Sequence, residues 1–291
     1  MPTFSRAASN EPAVGEVLTL RDESAGSQVL LAPERGALVT SFSVSGRELL
    51  YLDRATLNDG TKNVRGGIPI LFPAPGKLEA DTWHAAGQSG QLKQHGFARN
   101  LPWSVRDDAT AGVAAATLSL DSSPATLSQY PWAFRAQLSF TLEGRCLRIV
   151  ARVRNQSKTA MPFALGYHPY FLAGDKQQLR IDTRATRAFD NVTKQTLPFK
   201  GFDLGLPEVD LHLLDHGSSA SALHFGDGSY LSLTGSPEFT HWVVWTLTGK
   251  DFVCLEPWTA PGNALNTGDR LFHLLPGQEQ QCSLEIAWHP S

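Results

Sequence analysis

The chain has 291 residues, 42% of them hydrophobic, and a formal net charge of −3; one large β domain can carry that length and apolar content. Its 25 Lys and Arg are scattered among 28 Asp and Glu, which excludes the basic footprint of a nucleic-acid binder and the polybasic run of a membrane-surface protein. Cys146, Cys254 and Cys282 lie far apart without CxxC spacing, so neither a disulfide framework nor a zinc site is expected, and each is read as a buried small hydrophobe in a reducing compartment.

Along the chain, residues 1–15 are small and polar and lack the apolar run of a signal peptide. A loosely ordered segment over 1–14 and a cytoplasmic protein are expected. No stretch has the continuous apolar length of a membrane span,. Strand-like runs follow at Val17–Leu20, Gln28–Leu31, Leu38–Val44 and Ala114–Leu120,. Pro124–Tyr130 reads as one short helix, with Ser123 as its N-cap and Pro124 at the first position,. Phe134–Leu142 alternates apolar and polar, turns at Glu143-Gly144, and alternates again through Leu147, Ile149, Ala151 and Val153, with Val150 as the exception. That is a long hairpin with one wet face. Residues 190–210 are the most loop-like region, either a surface crossover or a lip of a binding cleft,. Further strands are expected at Leu179–Asp182, Tyr230–Thr234, Trp242–Trp245, Phe252–Leu255 and Cys282–Trp288. Many short strands and almost no helical period predict one all-β domain over 1–291, a large sandwich or barrel.

Four segments depart from ordinary strand-and-turn sequence. Asn63–Pro73 places Arg65 before two glycines flanked by prolines, which fits either a structural bulge or a rigid loop aiming Arg65 at a polar ligand. In Gln94–Arg99, His95 precedes a glycine, and Arg99 and Trp103 follow; the histidine is either a strand-start residue or part of a site for a polar ring. In Phe163–Phe171, Pro169 holds His168 in an extended conformation among two Tyr and a Phe,. That suits a general acid or a hydrogen-bonded core histidine. Phe252–Trp258 is an apolar strand ending in Glu256-Pro257-Trp258, and a carboxylate there needs a partner or a task unless it reaches water. Trp103, Trp242, Trp245 and Trp258 are candidate walls for a sugar ring, whose C–H faces pack on aromatic side chains.

Taken in order, RGGIPILFP, HGFARNLPW, GYHPYF and VVWTLTGKDFVCLEPW, spanning Arg65 to Trp258, resemble the galactose mutarotase-like superfamily, in its aldose 1-epimerase and hexose-6-phosphate epimerase-like branch. The resemblance implies a mostly antiparallel β-supersandwich and interconversion of aldose anomers without metal or cofactor. It implies His168 as general acid, Glu256 as general base, His95 as a second histidine at the ring oxygen and Arg65 on sugar hydroxyls. It also implies a site aspartate, Asp210 or Asp215, of which Asp210 fits the following hairpin better. The acid and base are expected on opposite sides of the pyranose. Arg65, Lys77 and Arg99 suit a 6-phosphate or hydroxyls, so both a free aldose and a hexose 6-phosphate fit as substrate. A non-catalytic carbohydrate-binding protein on the same sandwich is the alternative.

Overall fold

Period-two alternation sends the aliphatic side of each long strand into one interior, and that interior lies between two sheets. The computed structural model describes residues 4–106 and 113–291. One eight-stranded sheet, the back sheet, runs in the order Arg180–Ile181, Ala220–His224, Tyr230–Gly235, Glu279–His289, Cys146–Asn155, Phe134–Glu143, Ala114–Asp121 and Ser104–Arg106. A second eight-stranded sheet, the cleft sheet, runs in the order Gln195–Pro198, Arg187–Asp190, Glu208–Leu213, His241–Leu247, Phe252–Trp258, Gly166–Tyr167 and Ile70–Leu71, with Tyr170–Leu172 also pairing to Phe252–Trp258. Every named pairing is antiparallel. The architecture is the all-β supersandwich expected from the sequence.

Phe134, Leu138 and Phe140 of the back sheet share one core cluster with Trp242, Val244, Val253 and Leu255 of the cleft sheet. Burying side chains of this size is the main stabilising term, at roughly 1.5–3 kcal/mol each. The alternate residues of the cleft sheet necessarily face the other way, and they build the site.

The first five strands form a separate meander, Phe4–Glu11, Gly15–Asp22, Ser27–Ala32, Leu38–Val44 and Arg47–Glu48. Residues 1–3 of the segment expected to be loosely ordered lie outside the described residues, and a paired strand stands at Phe4–Glu11. Phe4–Glu11 pairs residue by residue with Gly15–Asp22, so backbone pairing orders a segment whose polar side chains give little packing signal. The hairpin over 134–155 turns at Gly144-Arg145 and leaves Val150 on the outer face. Ser123 caps a single turn at Pro124–Leu127 through a capping box with Thr126,. Among the described residues no helix is long and apolar enough to cross a membrane.

The GGIP segment is a junction between the meander and the cleft sheet. Val39 bridges Ile68, and Leu52 bridges Gly66. Gly67 has φ +65°, and a Cβ there would run into the Val39 carbonyl oxygen. Its amide donates to Tyr51 O at 2.8 Å, and its carbonyl accepts from Tyr170 N at 2.9 Å, so the junction also carries the His168–Tyr170 segment. Gly67→Ala is expected to lower the unfolding free energy by roughly 2–3 kcal/mol, read as a reduced urea midpoint at constant slope. An unchanged midpoint would contradict this role.

Candidate active site

The cleft sheet's second face floors a cavity of about 840 Å³. Register decides its membership. Val243 pairs with Glu256, Trp245 with Cys254, and His241 with Trp258. On the next strand Asp210 pairs with Trp245 and His212 with Val243. Asp210, His212, His241, Val243, Trp245, Glu256 and Trp258 therefore share one face, and all line the cavity. Trp242 lies on the opposite face, in the core, with its Nε1 donating to Ser218 O at 2.9 Å. Trp103 is also buried away from the cavity, donating to Ala98 O at 3.0 Å. Of the four tryptophans read as candidate walls, Trp245 and Trp258 occupy that position.

His168 and Glu256 meet on the cavity floor, with Nε2 and Oε1 3.3 Å apart. The expectation that they stand on opposite sides of the pyranose, a sugar ring's width apart, is not met. Gly166 pairs with both Leu71 and Trp258, which brings the GYHPYF segment directly beside the Glu256 strand and closes the gap. His168 is 7% exposed and Glu256 1% exposed, but both border the cavity. The His168 ring stacks on Tyr170 with centroids 4.7 Å apart, and Trp245 meets its edge at 5.7 Å. Trp258 Nε1 donates to Glu256 Oε2 at 3.2 Å.

Burial dominates the electrostatics of the pair. It pushes the His168 imidazole down to about 3, aided by the charge of Arg99. It pushes the Glu256 carboxyl well above the usual carboxylate range, with the charge of Asp210 acting the same way. Both groups are driven toward neutrality, so the pair holds one proton between them, and its ionisations belong to the pair.

His95 stands beside them, its ring 5.5 Å from His168 and 5.7 Å from Trp258. Its backbone is left-handed, at φ 69°, and reciprocal bonds to Gly76 hold it there. His95 N donates to Gly76 O at 2.8 Å, and Gly76 N donates to His95 Nδ1 at 3.1 Å. A Cβ at Gly76, whose φ is +75°, would lie 2.7 Å from Gly262 Cα, so only glycine brings this loop so near. Because Nδ1 accepts, neutral His95 carries its proton on Nε2. Burial, followed by the charge of Arg99, keeps the ring neutral well below its ordinary range.

Arg65, Lys77 and Arg99 also line the cavity. The Arg65 guanidinium lies 5.7 Å from the Trp245 ring centroid. Arg99 donates to Gln94 O at 3.1 Å, and its Nε is buried without a partner. Asp210 is in the wall, accepting from Asn191 Nδ2 at 2.7 Å. Asp215 is outside it, capping the amides of Thr186 and Arg187. Residues 190–210 are part wall and part strand: Asn191, Val192 and Glu208 border the cavity, while Gln195–Pro198 pairs with Arg187–Asp190. His212 and His241 were not singled out from the sequence. Val209-Asp210-Leu211-His212 did hold a signal, since period two carries His212 to the face of Asp210.

Cys254 and Cys282 are buried, but Cys146 is half-exposed at the start of its strand, which corrects the reading of all three as interior. His168, Cys254 and Glu256 offer ligand atoms within 4.8 Å of one another. Burial raises the Cys254 thiol well above its usual range, with the charge of Glu256 acting the same way.

The family model described as aldose 1-epimerase matches residues 16–287. A Cenchrus ciliaris protein named provisionally as a glucose-6-phosphate 1-epimerase is 28% identical over 282 residues, covering 88% of this chain and 80% of that protein. The crystal structure of the Slr1438 protein from Synechocystis sp. PCC 6803 is 34% identical, covers 100% of this chain and 98% of its own, and superposes with a TM-score of 0.91. A galactose mutarotase-like protein from Clostridium acetobutylicum has the same fold, with a TM-score of 0.84 at 16% identity and 99% of each chain covered.

Proposed function

The chain belongs to the aldose 1-epimerase family, and we propose that it interconverts the α and β anomers of an aldohexose by ring opening, with Glu256 as base and His168 as acid. The observation that carries this reading is the 3.3 Å separation of His168 Nε2 and Glu256 Oε1 on the cavity floor. Anomerisation moves protons on two oxygens, O1 and O5, that are bonded to the same carbon. An acid and a base in contact with each other therefore suit it better than a pair held apart.

The shared proton passes from Glu256 to His168 across their 3.3 Å contact, and the Glu256 carboxylate then takes the proton of O1–H as the C1–O1 bond becomes a carbonyl. The C1–O5 bond breaks, and O5 takes the proton of His168. Rotation about C1–C2 presents the other carbonyl face. O5 then attacks, returning its proton to His168, and Glu256 returns its proton to O1. Every proton is restored, and each transfer group typically contributes roughly 10²–10⁴-fold. His95, whose Nε2 lies 3.1 Å from the Gln94 side-chain amide, is a neutral hydrogen-bonding group beside O5, and Trp258 Nε1–H steadies the Glu256 carboxylate. Trp245 and Trp258 offer faces for the C–H side of the ring.

Arg65, Lys77 and Arg99 favour a hexose 6-phosphate over the free sugar, because three cations line the cavity and the buried Arg99 Nε lacks a partner, which a phosphate dianion would supply. KM for glucose 6-phosphate is expected to lie roughly 10-fold or more below that for glucose, as measured by polarimetry on both. Equal KM values would leave the cations to hydroxyls.

The buried pair also fixes the pH response. A second proton makes the pair cationic, and loss of the last makes it anionic; burial opposes both. The acid limb of kcat/KM therefore moves below the ordinary Glu value, toward the lowered His168 value of about 3, and the alkaline limb follows the raised Glu256 carboxyl. Activity should hold on both sides of roughly pH 4.3. An acid limb at or above that pH would contradict the assignment.

A further inference from the structure

We propose that His212 is a substrate-contacting specificity residue whose proton is locked on Nε2 by a chain of hydrogen bonds running from Arg270 through His241. The inference rests on the sugar-binding reading of the cavity. The chain begins at the exposed Arg270 and ends in the site. Arg270 donates from its terminal guanidinium nitrogen to His241 Nδ1 at 3.4 Å. An arginine has only donors, so His241 Nδ1 must accept, and the proton of neutral His241 sits on Nε2. That nitrogen is 2.9 Å from His212 Nδ1, which must then accept in turn. The remaining proton is on His212 Nε2, which lies 3.6 Å from Asp210 Oδ1.

Packing holds both rings in this order. His212 lies edge-on to Trp258 at 5.4 Å and to Phe189 at 6.0 Å. His241 is 1% exposed and lies against Trp258 at 5.7 Å. Burial keeps both imidazoles neutral, His212 down to about 4 and His241 well below the ordinary range. Neutrality matters because a tautomer can be locked only in the neutral ring.

The result is a donor beside an acceptor, too far apart to bond each other well. A sugar hydroxyl fits between them, accepting from His212 Nε2–H and donating to Asp210. A hydroxyl does both at once, whereas a hydrogen or a ring carbon at the same place would leave His212 Nε2–H and Asp210 Oδ1 unpaired beneath the substrate. The pair therefore reads a hydroxyl on the substrate. Arg270 and His241 are positioning residues, acting through His212. If the proton moved to His212 Nδ1, the bare Nε2 would face the Asp210 carboxylate, and the hydroxyl would lose its donor.

Two measurements on the full chain test this. Long-range ¹H–¹⁵N correlation spectra of the wild-type protein are expected to show both His212 and His241 as neutral Nε2–H tautomers. Arg270→Met removes the donor while keeping the stem; it should mix the tautomers and raise KM for the turned-over aldose roughly 10-fold, with kcat within about twofold. Arg270→Lys, which keeps a cationic donor, should restore both. A wild-type His212 protonated on Nδ1 would overturn the inference without any variant. So would an Arg270→Met protein with unchanged tautomers and KM. If the wild-type chain turned over no aldose, the anomerase reading would fail, while the tautomer spectra would still decide whether the lock exists.

Discussion

Replacing Glu256 with Gln is expected to reduce kcat for anomerisation by roughly 10²–10⁴-fold while leaving sugar binding within a few-fold. The substitution keeps the shape and an oxygen that accepts from Trp258 Nε1. It removes only the ability to take the O1 proton. The folded state should tolerate it, because burial already drives this carboxyl toward its neutral form, and an amide carries no charge to desolvate. Polarimetry reads turnover, and calorimetric titration with the same sugar reads binding. Undiminished turnover would remove Glu256 from the chemistry. A wild-type protein that binds sugar and does not turn it over would be a carbohydrate-binding protein.

His168→Gln is expected to cost a similar roughly 10²–10⁴-fold in kcat. An amide can reach the same place and donate a hydrogen bond, but it cannot surrender a proton to O5. Because one proton is held by the pair, the two losses should not add. The double variant should fall no more than a few-fold below the worse single one, as groups acting as a unit do. The pH response should change as well. With the imidazole gone, residual turnover depends only on ionised Glu256, so it rises with pH through the raised carboxyl range and then stays flat. Persistence of the alkaline limb in this variant, or multiplicative losses in the double, would contradict the shared-proton arrangement.

The sequence made the strands legible wherever one side of the chain meets core and the other meets water. The hairpin over 134–155 and the strand at Glu279–His289 carry alternating burial along their whole length. It was least informative where both faces are covered. Phe252–Trp258 is buried at every position, so alternation cannot say which side chains face the cavity. Only the pairing of Val243 with Glu256 separates Trp245 from Trp242, and that register comes from the partner strand. The same limit hid His241. The closeness of His168 and Glu256 was hidden for a related reason: it depends on a two-residue strand, Gly166–Tyr167, too short to leave a periodic signal. The chemistry-bearing residues were easier to find than their geometry, because an imidazole before a proline and a carboxylate ending an apolar strand are costly to bury and stand out in a chain of this composition.

Optical rotation followed after dissolving pure α-anomer tests the central assignment most directly, with glucose, galactose and glucose 6-phosphate run side by side. The wild-type chain should bring at least one of these sugars to anomeric equilibrium well ahead of the spontaneous rate, and Glu256→Gln should return that sugar to nearly the spontaneous curve. Three wild-type traces that overlay the enzyme-free controls would contradict it.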